Sequence, residues 1–234
     1  MNCIKRNIPN AITCLNVVSG TFAVLAALHG NAPWWGLTAL QWAWILVGVA
    51  AVADFCDGLA ARALRAYSPL GKELDSLCDL VSFGLAPAVI TAQVILLNGG
   101  APWLAWCTPL IAVCGALRLA RFNVAPEDNS AFTGLPIPAN AIFWVGFAAW
   151  YADMGMMPTW LTQACLLIFS WLMVSPLRLF TLKFRTWGWR GNAHRWTLIA
   201  AAPLLVLCAG VAGLMWTIVF YVALSAALQA KIRK

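Results

Sequence analysis

The stretch DFCDGLAARALRAYSPLGKELDSLCD, running from Asp54 to Asp79, places four aspartates at the facing ends of two long apolar runs. Asp54 and Asp57 are three residues apart, and Asp75 and Asp79 are four apart, so each pair shares one face of a helix. The link around Ser68-Pro69-Leu70-Gly71 is short, which makes the two helices antiparallel neighbours and lets their acidic faces converge. Four carboxylates in an apolar setting repel one another, and even one acid at the centre of a membrane helix costs about 2.5–3.5 kcal/mol. A divalent cation removes the repulsion. Oxygen-only donors suit Mg2+, Mn2+ or Ca2+ rather than zinc, and four carboxylates suffice for two ions. The alternative is a set of interfacial acids paired with Arg62, Arg65 and Lys72.

The rest of the chain sets the solvent. Of its 234 residues, 62% are hydrophobic and only 10% charged, against about a quarter charged in a soluble domain. Lipid is therefore the expected surroundings, and the expected fold is an all-α polytopic membrane bundle forming a single domain over residues 1–234. A spanning helix needs about 20 mostly apolar residues. Eight candidate runs cover residues 11–29, 36–61, 71–97, 102–123, 138–151, 159–178, 196–211 and 213–230. With both termini cytosolic and eight crossings, all 15 Lys and Arg fall on the cytosolic side, as the positive-inside bias requires. The net charge of +7 then reflects topology, and no nucleic-acid partner is expected. Trp34, Trp35, Trp103, Trp150 and Trp160 fall at outer ends, where indole rings favour the interface. The first run carries Asn10 and Asn16 and has no clear small-x-small site, so it is expected to remain rather than be cleaved as a leader. The eight cysteines show no metal or disulfide spacing and are expected to be free thiols.

Gly58, Ala61 and Gly71 lie beside the acids. Small residues there let either a ligand or a neighbouring helix approach the backbone. A metal cluster next to such a shelf suits a phosphoanhydride, whose charge the ions neutralise while the small residues admit a nucleotide.

The fixed positions Asp54, Asp57, Gly58, Ala61, Arg62, Gly71, Asp75 and Asp79 together resemble the signature of the CDP-alcohol phosphatidyltransferases. These are integral membrane enzymes that move a phosphatidyl group from CDP-diacylglycerol to an alcohol and release CMP. The chain is also similar to the membrane-embedded branch whose acceptor is L-serine. That likeness is carried by residues 8–16 (IPNAITCLN), 71–77 (GKELDSL), 81–84 (VSFG), 118–123 (RLARFN), 132–140 (FTGLPIPAN) and 172–175 (LMVS).

The resemblance implies that Asp54, Asp57 and Asp75 bind two divalent ions, Mg2+ or Mn2+ or else Ca2+, and that Asp79 is the base. In the alternative Asp79 is only a further ligand. It also implies that Asn10, Asn16, Asp57, Gly58, Ala61, Arg62 and Gly71 meet the CDP moiety at the cytosolic face of the cell membrane. A homodimer is implied as well. Arg118 and Arg121, three apart, suit a serine carboxylate or a lipid phosphate, or else anchor the helix end. Asn10, Thr13 and Asn16 recur at helical spacing and face either the nucleotide or a neighbouring helix. Residues 132–140 either shape the acceptor pocket or form a tight connection. Lys183 and Arg185 are placed against anionic headgroups. His29 and His194 have no triad partner in the sequence. Competing readings are the same fold acting on glycerol 3-phosphate or inositol, and a divalent-cation transporter with acids along its path.

Overall fold

The computed structural model describes residues 3–124, 133–155, 157–177, 179–181, 188 and 192–232. Among the described residues the architecture is helical apart from one short hairpin. Helix α1 (Cys3–Leu28) continues through Pro9, so it starts well before the expected residue 11. At its far end β1 (Pro33–Trp34) pairs antiparallel with β2 (Leu37–Thr38). Trp35 and Gly36, both at positive φ, make the two-residue turn that matches the twist of a hairpin. The second apolar run, expected from residue 36, thus begins as a strand, Leu37–Thr38. Trp42 Nε1 donates to the Trp34 carbonyl at 2.8 Å, which folds the hairpin onto the next helix. That helix, α2 (Ala39–Leu64), opens on a reciprocal cap: Thr38 Oγ1 accepts from the Gln41 N–H, and the Gln41 side chain accepts from the Thr38 N–H.

The turn that brings the aspartates together is built locally. Arg65 closes α2 in the left-handed region, φ 50°, and its N–H reaches back to the Ala61 and Arg62 carbonyls. Three residues later Ser68 caps α3 (Pro69–Asp79), with Pro69 as its first residue and the Ser68 hydroxyl accepting from the Gly71 N–H at 3.0 Å. The rod then continues through a π-helical segment, Leu80–Leu85, into α4 (Ala86–Leu97). Pro87 lacks an N–H, and the Ala86 N–H bonds five residues back to Val81. The helix thus widens directly after Asp79, as π turns do near functional positions.

Beyond this rod come α5 (Pro102–Ala105), α6 (Pro109–Val124), α7 (Ile137–Met154), α8 (Thr159–Val174), α9 (Ala193–Ala209) and α10 (Gly213–Ile232). Helix α8 stops at Val174 rather than at Arg178, because Ser175 precedes Pro176 and is driven to extended backbone, ψ 155°. Arg178 itself lies outside the described residues.

Among the described residues, five stretches are long and apolar enough to cross a membrane: Asn7–Leu28, Ala39–Leu64, Pro69–Leu97, Pro102–Val124 and Ala193–Gln229. The last is broken at Gly210, φ 57°, into α9 and α10, which pack against each other. Helix α7 is buried along nearly all its length and packs on α4 and α10. Its Phe143, Trp144 and Phe147 form an aromatic cluster with Phe169 of α8. Helices α1 and α2 lie along each other, with the fully buried Ala23, Ala26, Ala27, Ala43 and Ala50 in the core, the small-residue pattern of membrane helix pairs. Large apolar side chains such as Leu15, Phe22, Val52 and Phe55 face outward. Trp35, Trp103 and Trp160 are exposed, whereas Trp150 packs against Trp216 with ring centroids 5.9 Å apart. Among the described residues, seven cysteines are free.

Candidate active site

Asp54 and Asp57 come from the second half of α2, and Asp75 from the middle of α3. One carboxylate oxygen from each lies within 4.8 Å of the other two. Oxygens on opposite sides of one ion, bound at about 2.1–2.5 Å, stand ~4.2–5 Å apart, so the three can share a cation. A second observation agrees. Asp75 Oδ1 is buried and has no hydrogen-bond partner, and a buried anionic oxygen left without a donor is costly unless a cation meets it. The donors are all carboxylates, the hard set that Mg2+, Mn2+ or Ca2+ prefers.

Asp79 stands one turn further along and is 8% exposed. It is not one of the three converging carboxylates, although it faces Asp54. Its Oδ1 accepts a hydrogen bond from Asn16 Nδ2 at 3.0 Å. Asn16 is fully buried on α1, and its own carbonyl accepts from the Ser82 hydroxyl at 2.9 Å. The first helix therefore grips both Asp79 and the π segment that follows it. One turn earlier on α1, the Thr13 hydroxyl donates to Asp57 Oδ2 at 2.6 Å. The sequence placed Asn10, Thr13 and Asn16 on one face; two of the three prove to hold aspartates. Asn10 meets the shelf instead: a Cβ on Gly71 would come 3.0 Å from Asn10 Oδ1 and 3.0 Å from Ser68 Oγ.

The basic side chains do not neutralise the acids in the way the interfacial alternative required. Arg62 Nε turns back to the Gly58 carbonyl at 3.0 Å. Lys72 Nζ reaches the Asn123 carbonyl at 3.3 Å. Asn123 is a residue whose use sequence reasoning missed. Its amide donates to Ser76 Oγ at 3.0 Å and Glu73 Oε2 at 3.3 Å, tying the end of α6 to the helix that carries Asp75. The only signal was its place at the end of RLARFN. Arg118 is within electrostatic reach of Asp79, and its Nε is buried without a hydrogen-bond partner. Arg121, one turn on, is exposed and donates to the Val174 carbonyl at 2.9 Å.

The stretch 132–140 is described from Thr133 onward. The Gly134 N–H donates to the Leu177 carbonyl at 2.8 Å and the Leu135 N–H to the Leu172 carbonyl at 3.0 Å, so it is strapped to the end of α8. Phe132, Lys183 and Arg185 lie outside the described residues. His29 packs on Trp34, ring centroids 4.9 Å apart, far along the chain from any acid. His194 opens α9 and packs on Phe180.

Chemically, the arrangement offers a three-carboxylate cation cradle, a fourth carboxylate oriented by an amide, a nearby guanidinium and a glycine-lined shelf. Comparison with known proteins gives a consistent result. The family model described as CDP-alcohol phosphatidyltransferase matches residues 6–174. A Mycobacterium tuberculosis protein named CDP-diacylglycerol–serine O-phosphatidyltransferase is 32% identical over 178 residues, 70% of this chain and 59% of the relative. A Bacillus subtilis protein of the same name is 36% identical over 132 residues, 56% of this chain and 69% of the relative. An archaetidylserine synthase of Methanothermobacter thermautotrophicus is 35% identical over 144 residues, 58% of this chain and 54% of the relative. The chain thus spans 59% of the length of the mycobacterial relative.

Proposed function

Because the chain belongs to the CDP-alcohol phosphatidyltransferase family, we propose that it transfers a phosphatidyl group from CDP-diacylglycerol to the hydroxyl of L-serine, releasing CMP. The observation that carries this reading is the convergence of Asp54, Asp57 and Asp75 within 4.8 Å, with Asp79 held beside them by Asn16. The names of the relatives support serine as the acceptor.

In this reading Asp54, Asp57 and Asp75 hold two divalent ions, Mg2+ or Mn2+ or else Ca2+. When bound, the metals supply positive charge to the pyrophosphate of CDP-diacylglycerol and offset the charge that builds on the leaving CMP. Asn10, Asn16, Asp57, Gly58, Ala61, Arg62 and Gly71 receive the CDP moiety, with Gly58 leaving room for it against the backbone and Gly71 leaving room for Asn10. The serine hydroxyl oxygen bonds to the phosphorus that carries diacylglycerol, and the bond from that phosphorus to the bridging oxygen breaks. CMP leaves with that oxygen. Asp79 takes the hydroxyl proton as the new bond forms, and Asn16 keeps its carboxylate aimed. Arg118, with Arg121 one turn away, receives the serine carboxylate or a lipid phosphate, a task for which a fork of N–H donors is suited.

The same reading makes residues 1–234 one integral-membrane domain with eight crossings and both ends in the cytosol. This sets the acids at the cytosolic face, since all 15 Lys and Arg then fall on that side. It also includes a homodimer, to be checked by the mass of the detergent-solubilised particle.

Acceptor choice is tested by supplying purified protein with CDP-diacylglycerol, Mg2+ or Mn2+, and L-serine, glycerol 3-phosphate or inositol in turn, and identifying the lipid formed by mass spectrometry. Phosphatidylserine from serine alone is the expected product. Phosphatidylglycerol phosphate or phosphatidylinositol would keep the chemistry and overturn the acceptor.

A further inference from the structure

Ile137, the first residue of α7, sits where α6, α7 and the π segment meet. A Cβ on Gly115 of α6 would come 2.7 Å from Ile137 Cδ1 and 3.4 Å from its Cγ1. A Cβ on Gly84, in the π segment behind Asp79, would come 3.7 Å from the same Cδ1 and 3.5 Å from the Ala112 Cα of α6. The fully buried Ile137 side chain thus fills a hole with glycine backbone on two sides, where small residues let membrane helices approach closely. It has little freedom to leave. Branching at Cβ stiffens χ1, and turning χ2 moves Cδ1 but not Cγ1. The chain before it is strapped to α8 at Leu172 and Leu177, and a Cβ on Gly134, φ 78°, would run into the Met173 carbonyl.

These contacts set a register. Helix α6 runs antiparallel to the rod formed by α3 and the π segment. The two meet at Gly84 and Ala112. They meet again where Asn123 Nδ2 donates to Ser76 Oγ at 3.0 Å and Lys72 Nζ donates to the Asn123 carbonyl at 3.3 Å. Asp79 lies between Ser76 and Gly84 on the rod, and Arg118 lies between Ala112 and Asn123 on α6. The two residues therefore stand at one level of the bundle, and the separation of their helices is set one turn from Arg118, at Gly115 and Ile137.

We propose that Ile137 is a positioning residue for the acceptor: wedged between Gly84 and Gly115, it holds α6 at the separation from the π segment that lets Arg118 meet the acceptor at the level of Asp79. The inference rests on the function proposed above, in which Arg118 receives an anionic group of the acceptor.

The test compares wild type, Gly115→Ala, Ile137→Val and the double variant in CMP release, with serine and CDP-diacylglycerol varied separately and thermal unfolding recorded for each. Gly115→Ala adds a methyl against Ile137 Cδ1, and Ile137→Val removes that Cδ1, so the double variant restores the fit. In Gly115→Ala the KM for serine is expected to rise about tenfold, less than the ~100-fold that a misplacement of about 1 Å can cost. The KM for CDP-diacylglycerol stays within about twofold, a split that marks lost acceptor binding. The double variant returns the serine KM to within about threefold of wild type, the non-additivity expected of groups in contact. An unchanged serine KM in Gly115→Ala overturns the proposal and leaves the function intact. So does a double variant that regains thermal stability while its serine KM stays raised, which marks a merely structural Ile137. If Gly115→Ala does not fold, a folded double variant with a near-wild-type serine KM supports the proposal, and one that fails to fold or keeps a raised KM overturns it. If only another acceptor supports CMP release, the serine reading fails and the same comparison on that acceptor decides for or against Ile137. If folded wild-type protein releases CMP with no acceptor present, or none with any acceptor, both fall.

Discussion

The Thr13 hydroxyl donates to Asp57 Oδ2 across 2.6 Å, joining the first helix to the carboxylate cluster of the second. The same oxygen is 3.0 Å from the Pro9 carbonyl, but a hydroxyl has one proton and the shorter contact is to the carboxylate. A hydrogen bond that orients a metal-binding carboxylate commonly accounts for 10–100-fold in affinity or activity. Thr13→Val is therefore expected to raise the Mg2+ or Mn2+ concentration for half-maximal activity by about tenfold, with activity largely restored at saturating metal. A titration of CMP release against metal checks this.

Asn16 holds a different carboxylate and should fail differently. Asn16→Leu removes the N–H on Asp79 Oδ1 while keeping a similar volume. The expected effect is a fall in kcat of about 10–100-fold at saturating metal, without the metal dependence of Thr13→Val. Steady-state kinetics of the two variants side by side separate metal holding from orientation of Asp79.

Gly20 sets how closely α1 lies against the π segment. A Cβ there would come within 2.7 Å of the Ser82 Cα, nearer than side chains approach a backbone. Gly20→Ala must push α1 away from the segment that follows Asp79 and loosen the Asn16 contacts. Overpacking of this kind costs about 1–3 kcal/mol. A lowered Tm together with reduced kcat is expected, read by thermal unfolding and CMP release.

Asn123 joins α6 to α3 through Ser76 and Glu73. Asn123→Ala frees the end of α6, which carries Arg118 and Arg121, from the helix that carries Asp75. The expected result is a loss of about 1 kcal/mol in stability, typical of one or two partly exposed hydrogen bonds, and a higher KM for the acceptor. Unfolding midpoints and acceptor kinetics check the two parts.

Much of this was legible from the sequence, and for reasons that lie in particular residues. The aspartates at 54, 57, 75 and 79 were readable because helical spacing and a capped Ser68-Pro69 turn fix their faces before any packing is known. The faces of Thr13 and Asn16 were readable too. Their partners were not, since partner choice depends on how far α1 slides along α2 and α3. The end of α8 was in the sequence at Ser175-Pro176 and was read four residues too far, past the residue that Pro176 forces out of helix. The hairpin of Pro33–Trp34 and Leu37–Thr38 needs Trp35 at positive φ, which a bulky side chain adopts rarely and a propensity argument does not suggest. Tyr221 offered no motif at all. Its contact with Phe180 comes from the packing of α10 against the rest of the bundle.

The most direct measurement is CMP release from CDP-diacylglycerol and L-serine by the purified protein, with and without a chelator, beside Asp75→Asn and Asp79→Asn. The expected result is serine-dependent release that the chelator abolishes and that either substitution lowers by about a hundredfold or more in folded protein, the scale of losing a catalytic proton acceptor or metal ligand. Release that persists undiminished with the chelator, or in both variants, would contradict a metal-dependent transfer centred on these aspartates.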